Sequence, residues 1–150
     1  MKTININVSQ VVAAPLDKVW DVVSDVDNDP KYWVQYSDIR NISKDGNKIE
    51  REVTVGGEHK ARQTIVLNPK KSVELTITQG PIQGTRVMTL SQIDVRKTRI
   101  DVSWNFTPSG VAASAYGMVK SEMSDITKKA LQKIADESAA SQPATRTLVS

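Results

Sequence analysis

The spacing of apolar residues predicts one long amphipathic helix, over residues 110–139. Apolar side chains recur there at intervals of three and four, which places them on one face of an α-helix: Ala115, Val119, Met123, Ile126, Ala130 and Ile134. About thirty residues at ~1.5 Å per residue make a rod of about 45 Å, so a large, curved sheet is needed to cover this face. Small or flexible residues in the first half of the helix leave room between helix and sheet: Ala112, Ala115, Met118 and Met123.

A strand and two short helices are predicted at the start of the chain. Residues 4–12 alternate between apolar and polar, the period of a strand with one buried face. Pro15 suits the first position of a helix, and the apolar spacing that follows predicts a short helix to about residue 25. The polar segment 27–30 then forms a turn that opens a second short helix over residues 31–33.

The middle of the chain changes to strands separated by turn residues such as Asp-Gly, Gly-Gly, Asn-Pro and Gly-Pro. Short connections between successive strands favour an antiparallel meander. Six strands are predicted here, over residues 39–44, 48–55, 59–67, 72–79, 85–93 and 97–106. The fold class is therefore α+β, with a curved seven-stranded antiparallel sheet wrapped around the long helix.

The hairpin at Gly56-Gly57 allows its register to be predicted. A two-residue loop would set apolar Val53 opposite Lys60, whereas a three-residue loop over 56–58 groups apolar residues on one face. The longer loop also places Glu52 beside Lys60 or Arg62 on the outer face. We therefore predict the three-residue loop.

That register turns three polar residues inward: Arg51, His59 and Gln63. Histidine changes its charge near neutral pH, so an inward His59 is a candidate acid or base. Arg51 needs a partner if it is buried, and Glu122 on the long helix, or an anionic group of a ligand, is a candidate. Gln63 is a candidate for orienting a polar group of a ligand, although a satisfied interior amide is equally compatible with the pattern.

Composition limits the domain organisation and the chemistry. The length of 150 residues suits one domain, which we place at residues 1–140, followed by an aperiodic segment, 141–150, that we expect to be a disordered tail. The absence of cysteine excludes disulfides and thiolate sites, and a single histidine excludes multi-histidine sites. The spacing of acidic residues predicts no metal site, and we expect no cofactor.

The charge and hydropathy of the chain indicate which partners it binds and where in the cell it is found. The net charge of +3 is spread among 17 acidic residues, and the basic residues of the predicted outer face are balanced by Glu50 and Glu52, so we expect no nucleic-acid partner. The alternating pattern of residues 1–8 is unlike a signal peptide, and no apolar run is long enough to span a membrane. We expect a soluble, cytoplasmic protein, either a monomer or a weak dimer.

The order of elements, together with the opening segment Ala14-Pro15-x-x-x-Val19-Trp20 and the later Asp25 and Trp33, resembles the helix-grip START/SRPBCC superfamily. The turns at Gly56-Gly57, Asn68-Pro69 and 80–84 also fall where these proteins turn. This superfamily includes START domains, pollen-allergen-like proteins, polyketide cyclases/dehydrases and coenzyme-Q-binding START-like proteins. The resemblance covers residues 5–139 and implies a cavity between the sheet and the last helix, although the fold alone does not choose a function.

In such a fold the cavity would be lined mainly by large apolar side chains, joined by the polar residues of the hairpin. The candidate ligand-binding residues are Trp33, Tyr36, Arg51, Val53, His59, Gln63, Trp104, Phe106, Met118, Glu122 and Met123. Taken singly, each of the aromatic residues and methionines also fits an ordinary core position. Taken together, they are better explained as the lining of a cavity, because the small residues on the helix leave space beside the sheet.

Three functions are compatible with these residues. The leading hypothesis is a binder or carrier of a small hydrophobic, lipid- or polyketide-like ligand. An enzyme of the cyclase/dehydratase kind, in which His59, together with Arg51, moves protons, is the alternative. A third hypothesis is a protein-interaction or assembly module with a vestigial pocket.

Overall fold

A computed structural model describes residues 3–140 and contains seven strands and three α-helices. The predicted tail, 141–150, lies outside the described residues. In chain order the elements are β1 (Ile4–Val12), α1 (Leu16–Val23), α2 (Asp29–Tyr32), β2 (Tyr36–Asp45), β3 (Lys48–Val55), β4 (His59–Asn68), β5 (Ser72–Gln79), β6 (Ile82–Asp94), β7 (Lys97–Pro108) and α3 (Tyr116–Ala140). Short 3₁₀ turns precede α2 and α3, at Val26–Asn28 and Ala113–Ala115.

All seven strands form one antiparallel sheet, in the order β1-β7-β6-β5-β4-β3-β2. Strands β2 to β7 follow each other as a meander, and β1 joins beside β7, so β1 and β2 are the two edges. Alternating residues of each strand point to the concave face, where the large apolar side chains are buried. The predicted α+β helix-grip fold is confirmed.

Helix α3 covers the concave face unevenly. It packs on β1 and β7 and against α1 and α2. Its second half carries its buried side chains: Thr127, Ala130, Leu131, Ile134, Ala135 and Ser138. In the first half, Val119 and Met123 are only half-buried and Met118 is exposed, so the packing loosens toward the start of the helix.

Three element boundaries differ from the prediction by three residues or more: the starts of α3, β6 and β2, of which β2 begins at Tyr36 rather than at residue 39. Helix α3 begins at Tyr116 rather than at residue 110, because Ala112 is extended and a 3₁₀ turn intervenes. Strand β6 begins at Ile82 rather than at residue 85, because Ile82 pairs with Pro108 at the end of β7. The backbone N–H of Ser109 also donates to the carbonyl oxygen of Pro81, which extends this pairing.

The register of the β3–β4 hairpin is as predicted. Val55 lies opposite His59, and Val53 lies opposite Ala61, which leaves a three-residue loop over 56–58. Gly56 and Gly57 both adopt positive φ angles, of 61° and 86°, which favour glycine. On the outer face Glu52 lies opposite Arg62, as the pattern predicts.

Candidate functional site

A pocket of about 130 Å³ lies on the concave face, between the strands and the loosely packed first half of α3. Four of the predicted ligand-binding residues line it: Tyr36, Gln63, Trp104 and Met123. Six further residues complete the lining: Gln35, Val55, Ala61, Ile77, Pro81 and Ile82. The wall is therefore largely apolar, with two amides and one phenol as its polar groups.

Strand alternation positions most of this wall. Ala61 and Gln63 are inward positions of β4, while Ile77, Ile82 and Trp104 come from the next three strands. Ala61 contributes to the cavity through its small size, since a larger residue there would fill the space. Trp104 is fixed because its Nε1–H donates to Thr127 Oγ1 (2.9 Å), and the Thr127 hydroxyl donates to the carbonyl oxygen of Met123 (2.7 Å).

Behind the pocket, Arg51 is 0% exposed and all three of its nitrogens donate hydrogen bonds. Its Nη2 donates to Asp29 Oδ2 (2.7 Å), and its Nη1 donates to the carbonyl oxygen of Val26 (2.9 Å). The third donor, Nε, reaches Gln63 Oε1 (2.9 Å). These bonds connect β3 to the segment around α2, and they satisfy a charge that would otherwise be costly to bury.

The network continues from Gln63 to the pocket. Gln63 Nε2 donates to the hydroxyl oxygen of Tyr36 (3.0 Å), so this oxygen acts as an acceptor within the network. The phenolic proton of Tyr36 is then available to donate toward the pocket that Tyr36 lines. Arg51 thus orients Gln63, and Gln63 orients Tyr36.

The partner of Arg51 is Asp29, not Glu122. Glu122 is exposed, because it lies about 100° around the helix from Met123, which faces the pocket. Burial raises the pKa of the Asp29 carboxyl above its usual range, and the nearby Arg51 and Arg86 guanidinium groups partly offset this rise. Asp29 lies within the predicted turn, 27–30, but no sequence signal separates this buried aspartate from its exposed neighbours Asp25 and Asp27.

The remaining predicted residues fall into two groups. Trp33 and Phe106 are buried on either side of Trp104, at ring-centroid distances of 6.2 and 5.8 Å, and Val53 is buried in the same core. His59 and Met118 are exposed. His59 points to the concave side but stands at the end of the hairpin, and Met118 lies about 140° around the helix from Met123.

Sequence reasoning missed the pocket contributions of all six further residues: Gln35, Val55, Ala61, Ile77, Pro81 and Ile82. Ala61 and Ile82 are signalled by their inward alternation and by the Gly-Pro turn before Ile82, whereas Gln35 precedes β2 and carries no such signal. The side-chain oxygen Oε1 of Gln35 is buried and finds no hydrogen-bond partner among residues 3–140. A residue of the pocket wall, Gln35, thus carries an unsatisfied acceptor, and the next residue, Tyr36, carries a hydroxyl donor.

Two further features of the described residues concern metal-ion binding and membrane-spanning helices. Within residues 3–140 no three His, Asp or Glu side chains are grouped so as to hold a metal ion. None of the helices in this part of the chain is long and apolar enough to cross a membrane.

Comparison with solved structures supports the fold at low sequence identity. The Zhui aromatase/cyclase of Streptomyces sp. R1128 superimposes with a TM-score of 0.83 at 14% identity, covering 96% of this chain and 98% of that one. A START superfamily protein from Mycobacterium smegmatis gives a TM-score of 0.66 at 13% identity, over 89% and 93% of the two chains. At these identities the likeness establishes the fold alone.

Sequence comparison identifies the family. A curated Streptomyces halstedii protein, whose name proposes that it is a polyketide cyclase, is 33% identical over 52 residues. That match covers 35% of this chain and 48% of the relative, so it spans about half of the relative's length. The family model described as "Polyketide cyclase / dehydrase and lipid transport" matches residues 3–139. The chain therefore belongs to the polyketide cyclase/dehydrase and lipid transport family.

Proposed function

We propose that the protein binds or carries a small hydrophobic molecule in the pocket between the sheet and the first half of α3. The observation that carries this proposal is a largely apolar wall that includes a few polar side chains, the usual composition of a small-molecule site. The leading function is therefore binding.

The polar groups indicate what the ligand carries. Tyr36 offers a hydroxyl proton, because its oxygen already accepts from Gln63. Gln35 offers the buried acceptor Oε1, which lacks a partner among residues 3–140. A ligand with a hydroxyl group meets both needs, since a hydroxyl donates one hydrogen bond and accepts others.

The volume limits the apolar part of the ligand. A cavity of about 130 Å³ is smaller than the ~300–1,000 Å³ of sites for drug-sized ligands and close to the ~150 Å³ that holds benzene. One ring or a short branched chain therefore fits in this conformation. A larger ligand requires movement of the half-buried Met123, which is flexible and lies where the helix is loosely packed.

Two methionines of α3 provide a matched test. Met123→Trp fills the pocket, whereas Met118→Trp makes the same change at a position that is 68% exposed. Benzyl alcohol is a suitable probe because it combines one ring with one hydroxyl group. Its binding is followed by NMR through the indole N–H signals of Trp33 and Trp104, assigned by substitution.

We expect saturable binding to the wild type, at least tenfold weaker binding to Met123→Trp, and unchanged binding to Met118→Trp. Equal affinities of the two folded variants would place any binding outside the pocket. No saturable shift in the wild type would contradict the proposed function itself.

A cyclase/dehydratase enzyme is the second candidate, and one observation favours it. The Asp29–Arg51–Gln63 network holds Tyr36 so that its hydroxyl can donate to a ligand carbonyl, which is a way to polarise that carbonyl. His59 is less suited to this role, because it is exposed at the end of the hairpin and does not line the pocket.

Tyr36→Phe separates the two candidates. With an enzyme, the variant loses turnover of a poly-β-ketone mimic, measured by mass spectrometry, and benzyl alcohol affinity falls only about two- to tenfold, through the loss of one hydrogen bond. With a carrier, the wild type shows no turnover above the uncatalysed rate, and the variant loses only the affinity of one hydrogen bond, about two- to tenfold.

A further inference from the structure

Arg86 is a second buried arginine, and it is not satisfied as Arg51 is. It lies on the concave face of β6, opposite Leu75 of β5 and Trp104 of β7, and it is 1% exposed. Its Nε and Nη1 are buried and have no hydrogen-bond partner among residues 3–140. Guanidinium remains charged at any physiological pH, so the side chain keeps a positive charge whose hydrogen-bonding capacity is largely unused.

Neighbouring groups offset this charge only in part. The guanidinium carbon lies 4.2 Å from the ring centroid of Trp33 and 5.8 Å from that of Trp104. Aromatic faces attract a cation, but they do not replace lost hydrogen bonds. Even with these two ring contacts, the Nε and Nη1 donors of Arg86 therefore lack a hydrogen-bond acceptor among residues 3–140.

Charge is also unbalanced in this part of the interior. Among residues 3–140 the buried charged side chains are Asp29, Arg51 and Arg86. Asp29 is within electrostatic reach of both arginines but makes its short ion pair with Arg51, at 2.7 Å. Two guanidinium groups thus share one carboxylate, and one positive charge remains uncompensated.

The excess charge lies next to one residue of the pocket wall, Trp104. Trp104 lines the pocket and lies directly opposite Arg86 in the β6–β7 pairing, with the guanidinium carbon 5.8 Å from its ring centroid. The side chain of Trp104 therefore separates the pocket from the guanidinium. Trp104 is held by Thr127, whereas Nε and Nη1 of Arg86 have no hydrogen bond to break, so contact with a ligand in the pocket requires the Arg86 side chain to move.

We propose that Arg86 is an anion subsite of the pocket, and that the preferred ligands are small hydrophobic carboxylates. This inference rests on the proposed function, because the apolar body of the ligand occupies the same pocket. A carboxylate suits the fork of guanidinium donors, accepts two hydrogen bonds at once, and supplies the missing negative charge.

Benzoate and benzyl alcohol form a matched pair of probes, because they share one ring and differ in charge. NMR titration of the wild type should give at least tenfold tighter binding of benzoate. Arg86→Met should remove that preference, weakening benzoate at least tenfold while benzyl alcohol stays within about twofold. Arg62→Met is the control, since it removes an exposed arginine from the outer face of the same sheet and should leave both affinities unchanged.

Other results of these titrations would contradict either the anion subsite or the proposed function. If benzyl alcohol binds and benzoate binds no better, or if Arg86→Met leaves benzoate affinity intact, the anion subsite is wrong and the pocket stands. If neither probe binds the wild type, the proposed function fails and the subsite fails with it. Arg86→Met should fold, because methionine removes an unpaired buried charge; failure of both Arg86→Met and Arg86→Lys to fold would assign Arg86 to the core instead.

Discussion

The two sides of the concave face are covered in different ways. Over β1 and β7, the second half of α3 packs directly on the sheet with buried apolar side chains such as Leu131 and Ile134. Over β3 to β5, the interior contains the Arg51 network and most of the strand residues that line the pocket, and α3 contributes Met123 to that lining. The first side depends on close packing, and the second depends on hydrogen bonds and charge pairing.

This difference assigns stability and function to different parts of one helix–sheet interface. Close packing leaves no space for a ligand, so the α3–β1 side contributes stability. A buried polar network holds side chains in fixed orientations even where the packing is incomplete, so the β3–β5 side can keep a pocket without collapsing. The predictions that follow test each side in turn.

The largest effect is expected on the polar side. Arg51→Met should lower the free energy of unfolding by ~3–5 kcal/mol, because it leaves the Asp29 carboxyl buried without its partner. Urea denaturation followed by tryptophan fluorescence measures the loss. The control is Arg40→Met, which removes an exposed pair with Glu52 and should cost under ~1 kcal/mol. Similar losses in the two variants would show that the network does not hold this side together.

Truncation of the apolar side is expected to have the next largest effect. Leu131→Ala should lower the free energy of unfolding by ~2–5 kcal/mol, because Leu131 is 0% exposed in the packed half of α3. Met123→Ala removes a side chain of similar size from the half-buried edge of the pocket and should cost about 1 kcal/mol or less. Equal losses at the two positions would contradict the distinction between a packed half and an open half of the helix.

The dependence of stability on pH sharpens the comparison. Burial raises the pKa of Asp29 above its ordinary value of 3.8, so the folded protein holds this proton more tightly than the unfolded chain does. The contribution of Asp29 to stability is therefore largest below that ordinary value and is lost as the pH rises through the folded pKa. Asp29→Asn does not titrate, so the stability difference between wild type and Asp29→Asn should shrink from pH 4 to pH 7.

Leu131→Ala is the control for that measurement, because neither leucine nor alanine titrates. Its stability deficit should be the same at pH 4 and pH 7. A wild-type advantage over Asp29→Asn that instead grows with pH would mean that Arg51 and Arg86 outweigh burial and keep Asp29 charged.

Sequence patterns predicted the fold and the hairpin register because both depend on local periodicity. The pairing of Val53 with Ala61 follows from grouping apolar residues, and the structure has it. The register did not predict which inward-pointing side chains are exposed to solvent, because the extent to which other elements cover the sheet depends on the tertiary structure. His59 is therefore exposed at the hairpin end although its phase is inward.

The buried charges were only partly predictable. Arg51 stood out because it interrupts an apolar phase, and the same argument applies to Arg86, which lies in phase with Met88 and Leu90. The partner of Arg51 was not predictable, because Asp29 comes from a turn whose position over the sheet is fixed by long-range packing. Helical phase alone would have removed Met118 from the predicted lining, since it cannot share a face with Met123.

The smallest effect is expected on the outer face of the sheet, which provides a baseline for both sides of the concave face. Glu52 lies 3.3 Å from Arg40 and 4.0 Å from Arg62, and both arginines are largely exposed. Water and salt screen such pairs, so Glu52→Ala should cost only ~0.2–1 kcal/mol, and less at high salt. Urea denaturation at low and high salt measures this. A loss as large as that of Arg51→Met would mean that the outer pairs, rather than the buried network, hold β3 against its neighbours, and the difference between the two faces of this strand would disappear.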